Sequence, residues 1–217
     1  MATRTFAVIL SGCGNQDGTE IHEATMTLWA IHNNDGEYQC FAPDIEQNHV
    51  LNHITGQEMP EQRNVLVESA RIARGQVTNL KEFHSDSFDG LIIPGGLGAA
   101  KNLSTYAVDG AQCSVNEDVK TAIKAMHTAE KPIGALCIAP VILARVLDYA
   151  ELTIGQNEKV ARDIALMGAQ HRATLPEEIV IDTTRKIVTT PCYMFDARVD
   201  QIGRSAEKLV QAMLAFM

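Results

Sequence analysis

The sequence has 217 residues, of which 46% are hydrophobic, and a formal net charge of −9. This length and composition allow one full hydrophobic core, so we expect a single domain over residues 1–217. The acidic balance leaves no basic surface for nucleic acid or for an anionic membrane, which argues against both as partners. No apolar run reaches the roughly 18 residues that a membrane span requires.

The cysteines predict a reducing compartment. There are five of them, an odd number, scattered along the chain with no CxxC pair. This pattern argues against a disulfide framework and against a zinc site. The first ten residues lack the long apolar region of a secretion signal and instead predict a strand. We therefore expect a cytoplasmic protein without a metal site. The cysteines are Cys13, Cys40, Cys113, Cys137 and Cys192.

The N-terminal half alternates predicted strands with predicted helices. Residues 5–10 form a short apolar run that ends in a glycine-rich loop, which predicts a strand buried on both faces. Helical spacing and acidic residues after Thr19 predict a helix that ends near Gly36. The next predicted elements are a strand, an inserted loop or hairpin, and a helix, over residues 38–42, 44–59 and 63–73.

The C-terminal half continues the alternation. Two short apolar runs predict buried strands, and each is followed by residues that break a strand. The predicted strands of this half cover residues 91–93, 132–136, 152–154, 179–181 and 187–189. The predicted helices cover residues 115–130, 139–147, 159–167 and 199–214, and residues 102–114 are predicted to form a loop.

Alternation of this kind predicts an α/β fold, namely a flavodoxin-like three-layer sandwich with a mostly parallel sheet. Ligands of such sheets bind beyond the carboxyl ends of the strands. Gly12, Gly95 and Cys137 all follow predicted strands, so we expect the functional site at that edge of the sheet.

Cys137 is the strongest candidate for a reactive residue. Ala135 and Ala139 stand two positions before and after it, and small residues there allow a strand to turn abruptly into a helix. The helix N-terminus should favour the thiolate, which is the reactive form of cysteine. An inert packing residue is the usual interpretation of a lone cysteine, but the flanking residues favour a nucleophile here.

A glycine-rich loop at residues 94–98 is the second candidate. Backbone N–H groups at a strand end can stabilise an oxyanion that forms when Cys137 attacks a carbonyl carbon. Gly96 and Ile138 are the expected donors, with Gly95 beside them at the substrate. A tight turn or a phosphate cradle would use a similar loop, although neither this loop nor the first one carries a nucleotide-binding fingerprint.

The third candidate is the pair of carboxylates at the start of the first helix. Glu20 and Glu23 are three residues apart, and one of them can point toward the sheet edge. A carboxyl group held against the sulfur can exchange a proton with the thiol or with a bound substrate. Stabilisation of the helix dipole is the alternative, and it is the better explanation for Glu20. His22 adjoins Glu23 and is a further pocket candidate.

Five segments together resemble the ElbB-type proteins of the ThiJ/PfpI superfamily, also described as isoprenoid biosynthesis proteins with an amidotransferase-like domain. The match runs over essentially the whole chain, and its most specific part extends from Ser11 to Glu23. The segments are residues 8–14, 17–24, 92–103, 136–140 and 188–191.

The resemblance implies a class I glutamine amidotransferase-like version of the fold, a homodimer, and a cofactor-free glyoxalase that converts glyoxal, a small dicarbonyl, into glycolate. By position it makes Cys137 the nucleophile, Glu23 the carboxyl group that contacts it, and Gly96 the oxyanion-hole glycine. Cys13 and Asn102 are further candidates for the pocket.

The sequence also departs from the superfamily pattern. Many members have histidine directly after the cysteine, where this sequence has Ile138, and the His-x-Glu pair of glutamine amidotransferases is missing. Peptidase and amidotransferase chemistry are therefore disfavoured. Two alternatives to a glyoxalase stay open: a non-catalytic thiol sensor or small-molecule-binding protein, and a deglycase or amidase-like hydrolase linked to isoprenoid biosynthesis.

Overall fold

The structure, a computed structural model, describes residues 3–217. Nine strands are present in this part of the chain: β1 (Thr5–Ile9), β2 (Glu37–Ala42), β3 (Val77–Asn79), β4 (Gly90–Ile93), β5 (Ile133–Leu136), β6 (Glu151–Leu152), β7 (Gln170–His171), β8 (Val180–Asp182) and β9 (Ile187–Thr190). Seven strands form the central sheet in the order β3-β2-β1-β4-β5-β9-β8, and β6 pairs with β7 apart from it.

The described residues contain eight α-helices: α1 (Ile21–Asn33), α2 (Val65–Ile72), α3 (Leu97–Lys101), α4 (Tyr106–Asp109), α5 (Glu117–Thr128), α6 (Pro140–Val146), α7 (Glu158–Leu166) and α8 (Val199–Leu214). Helix α1 packs against α8, and α8 also contacts β5 and β9. Helix α5 contacts β4, β5 and α6. None of these helices is both long and apolar enough to cross a membrane.

The predicted fold class is confirmed. Adjacent strands of the central sheet are parallel except for β8, which runs antiparallel to β9 at one edge. Strands β4, β5 and β9 are buried along their whole length, as expected when helices cover both faces of a parallel sheet. The result is a flavodoxin-like sandwich with a mostly parallel sheet.

Five short elements differ from the prediction, and one of them is α3 (Leu97–Lys101), which begins inside the predicted glycine-rich loop. Strand β3 was not predicted, because its three residues are half-buried at a sheet edge and carry no strand pattern. The strand expected at 152–154 is the two-residue β6, whose unpredicted partner is β7. Helix α4 lies inside the segment 102–114 that was predicted to be a loop. Such short elements depend on tertiary pairing rather than on periodicity.

Gly134 on β5 lets the sheet approach the C-terminal helix closely. A Cβ atom at Gly134 would lie 2.7 Å from Met213 Sδ and 2.8 Å from Leu209 Cδ2. Both of these side chains on α8 are fully buried. They therefore hold α8 directly over the strand that leads to Cys137.

We expect Leu209→Ala to lower the free energy of unfolding by about 2–5 kcal/mol, because it removes buried methyl groups and leaves a cavity over β5. Urea denaturation of the purified protein measures this change. The exposed neighbour Gln211 is the matched control, and Gln211→Ala should change the free energy by less than about 1 kcal/mol. Equal effects of the two substitutions would contradict the packing described for α8.

Candidate active site

Cys137 stands at the turn between β5 and α6, in a backbone conformation that few residues adopt. Its φ angle is +58°, in the left-handed region that favours glycine. The turn is held by a hydrogen bond from the Cys137 N–H to the Thr190 carbonyl oxygen (2.9 Å) and one from the Ala139 N–H to the Leu136 carbonyl oxygen (3.0 Å). Strain of this kind persists only where the surrounding structure imposes it, and it presents the sulfur at the sheet edge.

Glu23 lies beneath the sulfur and is fully buried. The Gly95 N–H donates to Glu23 Oε2 (2.9 Å), and the Tyr193 N–H donates to Oε1 (3.2 Å). The carboxyl group is also hydrogen-bonded to the side chain of Cys137. Three separate segments of the chain thus meet at one carboxyl group.

Gly95 leaves the space that this contact requires. A Cβ atom at Gly95 would lie 2.5 Å from Glu23 Oε2 and would also collide with the Cys137 side chain. The prediction places Gly95 at the oxyanion or substrate, and in the structure its N–H donates to Glu23. Its neighbours Gly96 and Ile138 do direct their backbone N–H groups at the sulfur.

Burial changes the protonation of Glu23. Burial, with a smaller contribution from the Glu20 carboxylate, raises the pKa of Glu23 to about 8, although the N–H donors of Tyr193 and Gly95 act in the opposite direction. The carboxyl group therefore holds its proton at neutral pH. It can donate that proton as a hydrogen bond to a sulfur anion or to a bound oxygen.

The pKa of the Cys137 thiol differs from the expectation. The helix N-terminus was expected to favour the thiolate, but burial and then the Glu23 charge raise the pKa of Cys137, against the N–H groups of Gly96 and Ile138. Only 7% of the residue is exposed, so little water reaches the sulfur to solvate a charge. Cys137 and Glu23 are in contact and titrate as a pair, so the first proton to leave creates one negative charge shared between them.

A cavity of about 730 Å³ opens above Cys137. Two of the predicted pocket residues, Glu20 and His22, line it together with Gly96 and Ile138. Sequence reasoning missed the other lining residues, because they come from loops and helices that have no motif of their own. Those residues are Asn15, Leu97, Asn157, Val160, Tyr193 and Met194.

Tyr193 connects the buried and the open parts of the site. Its backbone N–H contacts Glu23, and its phenol oxygen is 2.8 Å from His22 Nδ1 on the cavity wall. Tyr193 stands two residues after Pro191, which ends the last segment of the resemblance. Its closeness to that segment is the sequence feature that could have indicated its place in the site.

Two predicted pocket residues lie elsewhere. Asn102 is a structural residue: its Nδ2 donates to the carbonyl oxygens of Ser11 (2.9 Å) and Asp17 (2.8 Å), which fixes the first loop. Cys13 faces a different group of charges, which includes Glu68 and Arg71, and burial raises the pKa of its thiol. Neither residue lines the cavity.

Cys192 lies close behind the site but does not open into it. The residue is 3% exposed, and burial, followed by the charges of Glu23 and Cys137, raises the pKa of its thiol well above the usual range.

Within residues 3–217, no three His, Cys, Asp or Glu side chains are grouped so that they could hold a metal ion.

Cys137 thus stands at a strained strand-to-helix turn at the edge of a parallel sheet, beside a buried carboxyl group. The chain belongs to the DJ-1/PfpI family, whose model matches residues 67–191.

Two curated relatives extend the similarity to almost the whole chain. The chain is 45% identical to the human glutamine amidotransferase-like class 1 domain-containing protein 3, mitochondrial. It is 43% identical to the ES1 protein homolog, mitochondrial, of Rattus norvegicus. Each alignment covers 94% of this chain and 82% of the relative.

Solved structures show the same fold. An isoprenoid biosynthesis protein with an amidotransferase-like domain from Ehrlichia chaffeensis superposes with a TM-score of 0.91 at 33% identity, over 98% of this chain and 100% of the other. DJ-1beta of Drosophila melanogaster superposes with a TM-score of 0.56 at 15% identity, over 99% of this chain and 98% of the other. The second likeness concerns the fold alone.

The buried carboxyl group should make stability depend on pH. The folded pKa of Glu23 is raised from 4.5 to about 8, so its contribution to stability is complete below about pH 4.5 and is lost as the pH rises through 8. From pH 5 to pH 8 we expect wild type to lose on the order of 3 kcal/mol more than Glu23→Gln. Urea denaturation at the two pH values measures this difference.

The control is Glu117→Gln, since Glu117 is exposed on α5 and pairs only with Lys120 among the described residues. Its pH dependence should follow that of wild type. A Glu23→Gln variant that loses as much stability as wild type over this range would show that Glu23 is ionised in the folded protein at neutral pH.

Proposed function

We propose that the protein is a cofactor-free glyoxalase that converts glyoxal into glycolate through a hemithioacetal on Cys137. The observation that carries the proposal is the convergence of three groups: the sulfur of Cys137 at the cavity wall, the protonated Glu23 carboxyl group buried beneath it, and the N–H groups of Gly96 and Ile138. This set provides a nucleophile, a proton donor and acceptor, and an oxyanion site.

The reaction begins when the Cys137 sulfur adds to one aldehyde carbon of glyoxal. A carbon–sulfur bond forms, and the carbonyl oxygen becomes an oxyanion that the N–H groups of Gly96 and Ile138 stabilise. The oxyanion takes the proton of Glu23, which holds one because its pKa is about 8, and the Glu23 carboxylate takes the proton that the Cys137 thiol gives up as the carbon–sulfur bond forms.

The internal redox step needs no external oxidant. The C–H proton of the hemithioacetal carbon is removed, and the second aldehyde oxygen is protonated, which gives an enediol bound to sulfur. Protonation of the terminal carbon and loss of one hydroxyl proton then give a thioester, so one carbon is oxidised and the other is reduced. Water hydrolyses the thioester to glycolate and restores the thiol, and Glu23 exchanges protons with these species.

A hydrolase that acts on carbonyl adducts of amines is the second candidate. The cavity of about 730 Å³ favours it, because this volume is in the range that binds drug-sized ligands, whereas glyoxal has only two carbon atoms. Both functions use the same attack by Cys137 and differ in the group that leaves. Comparing free glyoxal with preformed adducts as substrates separates them.

Purified wild-type protein, without added glutathione, metal or nicotinamide, is expected to produce glycolate from glyoxal. Cys137→Ala should abolish production, and Glu23→Gln should reduce it by about 100-fold or more, because the nucleophile and the proton carrier are removed respectively. Chromatographic measurement of glycolate gives the rates, and circular dichroism shows that each variant is folded.

Cys113→Ala and Glu117→Gln are the matched controls, since both positions lie outside the cavity lining and carry the same chemical groups. Each should retain wild-type rates. Glycolate production that persists in Cys137→Ala, or that requires added glutathione or metal, would rule out the proposed mechanism.

A further inference from the structure

The cavity above Cys137 carries a negative charge on its wall and no positive one from lysine or arginine. Of the residues that line it, Glu20 is the only one with a carboxylate, and none is lysine or arginine. A carbonyl compound that approaches the sulfur therefore passes a negative wall. Because this wall has a low-dielectric interior behind it, its field is stronger there than in bulk water.

Glu20 is built into the wall without a cationic partner. Its side chain is 13% exposed, and Oε2 accepts a hydrogen bond from the Glu23 N–H (2.7 Å) as the cap of α1. Oε1 is 3.9 Å from His22 Nδ1, and among the described residues no lysine or arginine forms an ion pair with Glu20. The cap hydrogen bond and the N-terminus of α1 stabilise the carboxylate through Oε2, and a cation bound in the cavity would add to this through Oε1.

The remaining surface of the cavity suits the rest of such a ligand. Tyr193 lines the cavity with its ring 5.9 Å from that of His22, and aromatic rings attract cations. Apolar side chains of Leu97, Val160 and Met194 provide room for a short hydrocarbon segment. The volume of about 730 Å³ accommodates a ligand considerably larger than a two-carbon dialdehyde.

We propose that Glu20 makes this cavity select carbonyl compounds that carry an ammonium group, and discriminate against those that carry a carboxylate or another anion. The inference deepens the proposed function, because it assumes that a carbonyl compound reaches Cys137. It adds a charge preference among carbonyl substrates larger than neutral glyoxal, and it assigns Glu20 as the residue that determines this preference.

Three methanethiosulfonate reagents test the charge of the cavity independently of turnover: one with an ammonium group, one with a neutral methyl group and one with a sulfonate. In each case the Cys137 thiolate attacks the sulfenyl sulfur, a mixed disulfide forms and methanesulfinate leaves. Rates are read by mass spectrometry on the tryptic peptide that ends at Arg145, in which Cys137 is the only cysteine. Division by the rate with 2-mercaptoethanol removes the intrinsic reactivity of each reagent.

In wild type we expect the normalised rates to fall in the order ammonium, neutral, sulfonate, with roughly threefold to tenfold between successive reagents. In Glu20→Gln the ratios should shrink toward one. Glu117→Gln removes the same formal charge from α5, outside the cavity lining, and should leave the wild-type ratios unchanged.

The ratios of the normalised rates distinguish an effect of the Glu20 charge from an effect of Glu20→Gln on the structure of the site. Loss of the helix cap would alter all three rates in parallel and leave their ratios as they are, whereas a lowered pKa of the neighbouring Glu23 would place more negative charge beside the sulfur and widen the ratios instead of shrinking them. Equal rates in wild type, ratios that Glu20→Gln does not change, or a Cys137 that reacts with none of the reagents would each overturn the proposal. A wild-type protein that shows the expected ratios but makes no glycolate would overturn the glyoxalase and leave the charge selectivity standing.

Discussion

The contact between the Cys137 sulfur and the buried Glu23 carboxyl group is the interaction on which the rest of the site depends. Neither group is well solvated, so each controls the protonation of the other. A carboxyl group that holds its proton at neutral pH places no full negative charge against the sulfur. The backbone N–H groups of Gly96 and Ile138 can then stabilise the anion that forms when the pair loses a proton.

Several loops cooperate to hold Glu23 in place. The Glu20 N–H donates to the Gly95 carbonyl oxygen (3.0 Å), which joins the start of α1 to the loop after β4. The Gly98 N–H donates to the Gly18 carbonyl oxygen (2.8 Å), which joins the same two loops a second time. Because the backbones approach so closely, Gly96 cannot carry a side chain: a Cβ atom there would lie 2.5 Å from the Gly18 carbonyl oxygen. The first loop is therefore part of the frame that holds Glu23 in place.

Directly after Cys137, this chain has Ile138 where many members of the superfamily that it resembles have histidine. Ile138 supplies only a backbone N–H and an apolar side chain, so the titratable side chains that line the cavity beside Cys137 are Glu20, His22 and Tyr193. These three form a continuous set, because His22 Nδ1 is 2.8 Å from the Tyr193 phenol oxygen and 3.9 Å from Glu20 Oε1. These side chains of the cavity thus come from the start of α1 and from the segment after β9, and not from the cysteine turn.

Local patterns in the amino-acid sequence were sufficient for the α/β alternation, for the turn at Cys137 and for the bounds of α8, which agree with the prediction over residues 199–214. They were sufficient because periodicity, small flanking residues and glycines act over a few neighbouring positions. Local patterns could not indicate the role of Gly95, the raised pKa of the Cys137 thiol, or that Tyr193 belongs to the site. Each of them depends on burial and on segments far apart in the chain, such as Glu23 and Tyr193, which only the folded sheet brings within 3.2 Å.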